Sequence, residues 1–130
     1  MEAAMQDIVV WGEGEQIVGT PFRVAVDPKQ TDGHAVVFTV DMSVDEFVPP
    51  HVHEREDQIN VVISGRVGCR LGDAECVLEA GGLVTIPRGV EHSLWNAGDT
   101  IAQVMEIYTP PGIETFFAEA GANGGFGPPS

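Results

Sequence analysis

Before residue 112 this chain carries no helical repeat of apolar residues, and that constrains its fold more than any single motif. Short runs rich in β-branched and aromatic residues recur instead at ~8–12-residue spacing, each bounded by Gly, Pro, Asn or Asp. They read DIVVW (Asp7–Trp11), PFRVAV, AVVFTVDM, EFVPPHVH, QINVVIS, two short strands about a Gly72-Asp73 turn, LVTIP, HSLWN and IAQVMEIY. Strands of this length, separated by tight turns, are expected to close into an antiparallel sandwich or barrel. A chain of 130 residues suits one domain, expected over residues 1–120. In GIETFFAEAG, Ile113, Phe116, Phe117 and Ala120 form an apolar stripe, so a short helix ends the domain, with Gly121 as its C′ residue. That stripe is expected to pack on the barrel or on a neighbouring subunit. The last ten residues, 121–130, are Gly/Pro-rich and read as a flexible tail.

Charge narrows the partners. Twenty acidic residues against six Lys and Arg leave a net charge of −14. Six scattered cations cannot neutralise a phosphate backbone or hold an anionic membrane, so neither nucleic acid nor membrane is an expected partner. No apolar run approaches the ~20 residues of a membrane-spanning helix. The N-terminus MEAAMQDIVV lacks the basic and apolar regions of a secretory signal, which makes a cytoplasmic location the expectation. Cys69 and Cys76 face each other across the Gly72-Asp73 hairpin and are expected to be reduced thiols.

The chemistry lies in PPHVHEREDQINVVISG, residues 49–65. Successive side chains of a strand alternate in direction, so His51 and His53 point the same way and Val52 the opposite way. One strand thus offers two imidazoles to one ion. Pro49 and Pro50 suit a strand start. After the EREDQ turn, Gln58 opens the next strand, within reach of the histidines. Glu56 shares its parity and is the alternative ligand; Asp57 should face outward. A third imidazole comes from GGLVTIPRGVEHSLWN, where His92 follows the Arg88-Gly89 turn. Imidazole suits several transition metals, so the donor set does not select one.

These two segments resemble the paired motifs of the cupin superfamily. The first family pattern, G-x5-H-x-H-x3-4-E-x6-G, is matched by His51, His53 and Gly65, with Gln58 in the glutamate slot and Asp45 where the opening glycine falls. The second, G-x5-P-x-G-x2-H-x3-N, is matched by Gly81, Pro87, Gly89, His92 and Asn96. The motifs occupy 45–65 and 81–96, and the nearest group is the small monocupins termed quercetin-dioxygenase-like. The resemblance implies an all-β double-stranded β-helix, a cupin or jelly-roll barrel with a short C-terminal helix. It also implies one divalent ion (iron, zinc, nickel or manganese) held by His51, His53, His92 and Gln58, a small-molecule substrate and a homodimer.

Gln58 departs from the family in a way that matters. A glutamate ligand supplies a negative charge, whereas a glutamine ligates through a neutral carbonyl oxygen. With three neutral imidazoles the ion would keep its full 2+ charge, act as a stronger Lewis acid and favour an anionic, chelating substrate. Three activities are compatible with this: a dioxygenase-like oxidoreductase on an enolisable or aromatic oxygen-rich metabolite; a redox-neutral lyase, isomerase or polyketide-type cyclase; and a binding module without turnover.

Parity assigns the remaining pocket candidates. Asn60 and Val62 share a face with Gln58, and Leu94 with His92. On the IAQVMEIY strand either Gln103, with Met105 and Ile107, or the Glu106–Tyr108 pair faces inward, and Gln103, Glu106 and Tyr108 are the candidates for an acid–base group. The usual apolar interior favours Met105 and Ile107 inside and a solvated Glu106. Asn96 is expected to fix the NAGD turn and Trp95 to pack outside the barrel, with Trp11 in the core or an interface. His34, Arg23 and Arg70 are expected at the surface.

Overall fold

The computed structural model of the protein describes residues 9–123, and the expected tail beyond 123 lies outside them. Ten antiparallel strands form two sheets. In chain order they are β1 (Glu15–Gln16), β2 (Phe22–Val26), β3 (Val36–Met42), β4 (Phe47–His51), β5 (Asp57–Ser64), β6 (Val67–Leu71), β7 (Ala74–Leu78), β8 (Leu83–Ile86), β9 (His92–Asn96) and β10 (Ala102–Thr109). The order β1-β2-β3-β10-β5-β8 makes one sheet and β4-β9-β6-β7 the other, the arrangement of a double-stranded β-helix. A helix, α1 (Ile113–Ala122), follows. No helix among the described residues is long and apolar enough to cross a membrane.

The core divides in two. Between the sheets, Val40, Met42, Val62, Val67, Cys69, Leu94, Ala102 and Val104 pack together. Beneath α1 lies an aromatic cluster in which Phe117 stacks on Phe22 at 4.1 Å and packs against Phe38. Of the apolar helix stripe, Ile113 and Phe117 are buried there. Burying such rings contributes about 1.5–3 kcal/mol each, which docks α1 along the barrel.

Three local expectations are corrected. No strand forms at 9–11: Val9 and Val10 are exposed and Trp11 begins a turn, while the Asp7 and Ile8 of the expected strand lie outside the described residues. The β-branched run has no strand edge to pair with, and β1 takes that edge instead. The DPKQTDG turn contains a 3-10 helix (Pro28–Thr31), closed by a capping box between Asp27 and Gln30. Lastly, α1 runs through Gly121 to Ala122 rather than stopping before it. Gly121 serves close approach, since a Cβ there would lie 1.9 Å from the Val18 carbonyl oxygen. Gly→Ala in a helix ordinarily stabilises by about 1 kcal/mol. Here Gly121→Ala is expected to have the opposite sign and to lower the melting temperature, because α1 must lift off the 17–20 loop; a raised melting temperature would refute the contact.

The hairpin reading holds. Cys69 is the register partner of Cys76, and both thiols are free. Burial, with the charge of Cys76 added, pushes the Cys69 thiol up to about 11, so it behaves as an inert core residue.

Candidate metal centre

The two histidine segments meet across a strand pair. His51 closes β4, His92 opens β9, and the two are register partners. His53 lies two residues past His51 on the connection to β5, where the Gly89 amide donates to its carbonyl oxygen at 2.8 Å. That amide belongs to the Arg88-Gly89 turn, and Gly89 takes the positive φ of 81° the turn requires. Outward-facing Asp57 fixes the turn from the other side, accepting from the Arg88 amide at 2.9 Å and from its guanidinium at 3.1 Å. Arg88 in turn holds the Asp57 carboxyl below its ordinary range, chiefly through the side-chain hydrogen bond. Asp45 stands where a glycine was expected, yet it adopts φ 67°. Aspartate is among the residues that tolerate this conformation, so the turn survives the substitution.

The ligating atoms of His51, His53 and His92 lie within 4.8 Å of one another. Two ring orientations are fixed from behind. The Nδ1 atoms of His51 and His92 lie 2.9 and 3.0 Å from the carbonyl oxygens of Pro49 and Val90. Donation from Nδ1 leaves Nε2 with its lone pair, the form that ligates metals. Burial, reinforced by the neighbouring imidazoles, lowers the His53 pKa to about 4, and burial lowers that of His92 as well. The His53 ring is therefore neutral at pH 7. The Nε2 atoms of His53 and His92 are buried without a hydrogen-bond partner, as are Gln58 Oε1 and Asn60 Nδ2. Buried polar atoms are normally satisfied. A cluster of orphans on two imidazoles and an amide oxygen fits an absent divalent ion.

Gln58 is 2 % exposed, and its amide is oriented by its neighbours. Its Nε2 donates to Asn60 Oδ1 at 2.7 Å and to Glu106 Oε1 at 3.4 Å, which leaves the carbonyl oxygen unpaired. Tyr108 donates to the same Glu106 oxygen at 2.6 Å. Register brings these residues together, because Glu106 pairs with Asn60 and Tyr108 with Gln58 across β10 and β5. Burial raises the Glu106 carboxyl to about 7, against the Tyr108 hydrogen bond that lowers it. Burial, then the Glu106 charge, raises the Tyr108 phenol well above its usual value.

His51, His53, Gln58, Asn60, Glu106 and Tyr108 line a cavity of about 930 Å³. Its wall is largely apolar, with Phe22, Met42, Leu94, Val104 and Phe116 among the lining residues. Glu46, Glu54, Glu56 and Arg55 also line it. Glu56 is outside the cluster of mutually close ligating atoms, although it is buried nearby.

Several sequence expectations are corrected here. Glu106 is buried, not solvated, and Gln103 faces away from the cavity, where it accepts from Ser64 at 2.9 Å. The apolar-inside rule chose the wrong face of β10 because the inner face carries the site. Val62 is not in the cavity wall but buried in the core below it. Asn96 closes its turn, donating to the Met42 and Thr100 carbonyl oxygens and accepting from the Gly98 amide. The Trp95 ring covers Gly68, outside the cavity, and Trp11 donates to Asp41 at 3.3 Å. Arg23 and Arg70 are tied to the carbonyl oxygens of Gly14 and Gly72, and His34 is exposed. The Asp57–Arg88 pair was missed, and its signal was only that both residues flank turns.

Comparison with known proteins agrees with the geometry. The model of the cupin domain matches residues 38–108. The germin-like protein subfamily T member 2 of Arabidopsis thaliana is 33 % identical over 101 residues, 68 % of this chain and 46 % of that protein. The chain thus spans about half the length of that curated relative. Among solved structures, KdgF from Halomonas sp. superposes with a TM-score of 0.65 at 19 % identity, covering 72 % of this chain and 81 % of that one. A Thermotoga maritima protein named as a predicted oxalate decarboxylase gives 0.63 at 16 %, covering 69 % and 79 %. A Bacillus halodurans protein gives 0.60 at 24 %, covering 62 % and 65 %. At these identities the structural likenesses speak for the fold.

Proposed function

The chain belongs to the cupin family, and from that premise we propose a metal-dependent monocupin enzyme acting on a small, oxygen-rich, largely apolar molecule. The observation that carries this reading is the set of three imidazoles whose ligating atoms lie within 4.8 Å of one another. His51, His53 and His92 would hold the ion, with the Gln58 carbonyl oxygen as fourth ligand. A bound divalent ion supplies Lewis acidity to a carbonyl or phenolic oxygen. The chain's own groups do the rest. The apolar wall takes an aromatic or enolisable body. The carboxylates of Glu46, Glu54 and Glu56, against the one cation Arg55, disfavour small dianions at the cavity. Glu106 receives or returns a proton, since a carboxyl near 7 is poised for both directions at neutral pH. Tyr108 positions that carboxyl, and Asn60 turns the Gln58 amide so that its oxygen is free.

This machinery supports redox-neutral proton transfer, as in a lyase, isomerase or cyclase, over simple binding, because a buried acid at the cavity is costly to retain without use. The dioxygenase-like reading is supported by the donor set, which holds iron or nickel as readily as zinc. Elemental analysis of protein purified without added metal, with oxygen uptake measured on aromatic hydroxyketones, separates the two. Zinc with anaerobic turnover supports the first, and iron with oxygen uptake the second. A metal-free protein whose melting temperature ignores zinc, iron, nickel and manganese would sink both. Gln58→Glu adds a charged ligand and should slow metal loss to a chelator by on the order of tenfold. Unchanged retention would remove Gln58 from the ligand set.

A further inference from the structure

The inward row at the start of β5 carries more polar groups than a metal ion satisfies. Glu56, Gln58 and Asn60 are the buried members of an alternating run, and all three line the cavity. Strand rise spaces successive members ~7 Å apart, with Gln58 in the middle. The Gln58 carbonyl oxygen is accounted for as a ligand. Asn60 presents the opposite chemistry: its unpaired Nδ2 is a donor, which cannot ligate a cation. It calls for an acceptor oxygen on a bound molecule. Glu56 is 9 % exposed, yet among the described residues its carboxyl accepts no hydrogen bond and forms no ion pair. The Arg88 guanidinium is held by Asp57, and Arg55 is exposed and in no ion pair. Buried carboxyls are normally paired or hydrogen-bonded, so this one lacks a partner that the chain does not supply.

We propose that Glu56 anchors a cationic nitrogen of the substrate, an ammonium group, while the substrate's oxygen lies at the three histidines. This deepens the metal-dependent reading above and rests on it. Glu56 is not itself a ligand in this arrangement, because it lies outside the cluster of mutually close ligating atoms. Its surroundings favour a cation. Glu46 and Glu54 line the same cavity, against Arg55 as the one Lys or Arg there. The two ends of the β5 row therefore differ in what they attract. Imidazole and amide ligands bring no negative charge to the ion, so that end, with the Asn60 donor, takes an oxygen anion or a carbonyl. The Glu56 end takes a positive charge. Opposed preferences along one cavity wall fix the direction in which a bipolar molecule binds. The substrate class is thus an aromatic or enolisable body with a chelating oxygen at one end and an amine a short arm away.

Titration calorimetry of the zinc-loaded full chain under nitrogen, with three catechols, tests this. The three share their chelating oxygens and differ at the end of a two-carbon arm. They are 4-(2-aminoethyl)catechol, a cation; 4-(2-hydroxyethyl)catechol, neutral but still a hydrogen-bond donor; and 3,4-dihydroxyphenylacetate, an anion. The wild type should bind the amine about tenfold more tightly than the alcohol, with the acetate weakest, because a hydrogen bond to a charged group is the stronger kind. Glu56→Gln keeps the shape and removes the charge. It should retain its zinc and lose most of that preference. Equal affinity for amine and alcohol in the wild type overturns the anchor and leaves the metal-dependent reading standing. So does a preference that survives Glu56→Gln, which would place the cation elsewhere. Loss of zinc from Glu56→Gln would make Glu56 a ligand and overturn the anchor as well. If none of the three binds the zinc-loaded chain, the oxygen-chelating reading falls and the anchor with it.

Discussion

Replacing His53 by alanine is expected to leave the barrel folded and to remove its capacity to hold a divalent ion. The residue lies on the β4–β5 connection and not in a strand ladder, so no strand pairing depends on its side chain. Its ring packs edge-on against Tyr108 at 5.6 Å, and losing that contact should cost no more than about 1 kcal/mol. The loss at the site is far larger. Changing a group that merely orients a ligand costs about 10–100-fold in metal affinity, so deleting one of three imidazoles should exceed 100-fold. Equilibrium dialysis followed by elemental analysis would then find close to one ion per wild-type chain and almost none in the variant. His34→Ala serves as the control, because His34 is an exposed turn residue away from the cluster and should bind as the wild type does. Wild-type stoichiometry and affinity in His53→Ala would refute the three-histidine centre. An unfolded variant is recognised by circular dichroism, and His51→Gln, which keeps a polar side chain at the end of β4, then carries the same test.

The three-histidine cluster was legible because its determinants are local. His51 and His53 are only two positions apart and stay together although His53 lies past the end of β4, and the glycine and proline spacing before His92 needs one turn. The positive φ of Asp45 shows the limit of reading such spacing as residue identity, because the turn keeps its shape with an aspartate in it. The acid–base half was not legible. Whether Gln103 or Glu106 faces inward depends on how β10 registers between β3 and β5, which are far apart in sequence. Hydrophobicity pointed to the wrong answer, since Met105 and Ile107 are the more apolar face of β10. The same inversion on β5 sets Gln58 and Asn60 inside and Ile59 and Val61 outside. Both strands turn polar residues toward the cavity and apolar ones to the outer face of the sheet. Gly121 failed as a stop signal for a related reason. A helical glycine signals either a left-handed cap or a close approach, and only the position of the 17–20 loop decides between them.

Glu106→Gln is expected to stabilise the metal-free protein at pH 8 and to change its stability much less at pH 5. The carboxyl rises from 4.5 to about 7 on folding, mainly through burial. Below 4.5 it is protonated in both states and contributes nothing to the pH dependence. Between 4.5 and 7 the unfolded chain releases the proton that the folded chain still keeps, so stability falls as the pH rises through this window and levels off above 7. A rise from 4.5 to about 7 corresponds to about 3 kcal/mol, fully developed above pH 7. Glutamine cannot ionise, yet its carbonyl oxygen can still accept from Tyr108. The variant should therefore melt on the order of 10 °C higher than wild type at pH 8, with the two curves converging only below pH 4.5. Tyr108→Phe should act in the opposite sense. The phenol's hydrogen bond holds the Glu106 carboxyl down, so removing it raises the cost of ionisation and destabilises more at pH 8 than at pH 5. A bound divalent ion favours the ionised carboxylate, so adding metal should shrink the advantage of Glu106→Gln at pH 8. An equal stability change at both pH values would show that Glu106 ionises as freely in the folded protein as in the unfolded chain. Its place as the proton-transferring group of the cavity would then fall.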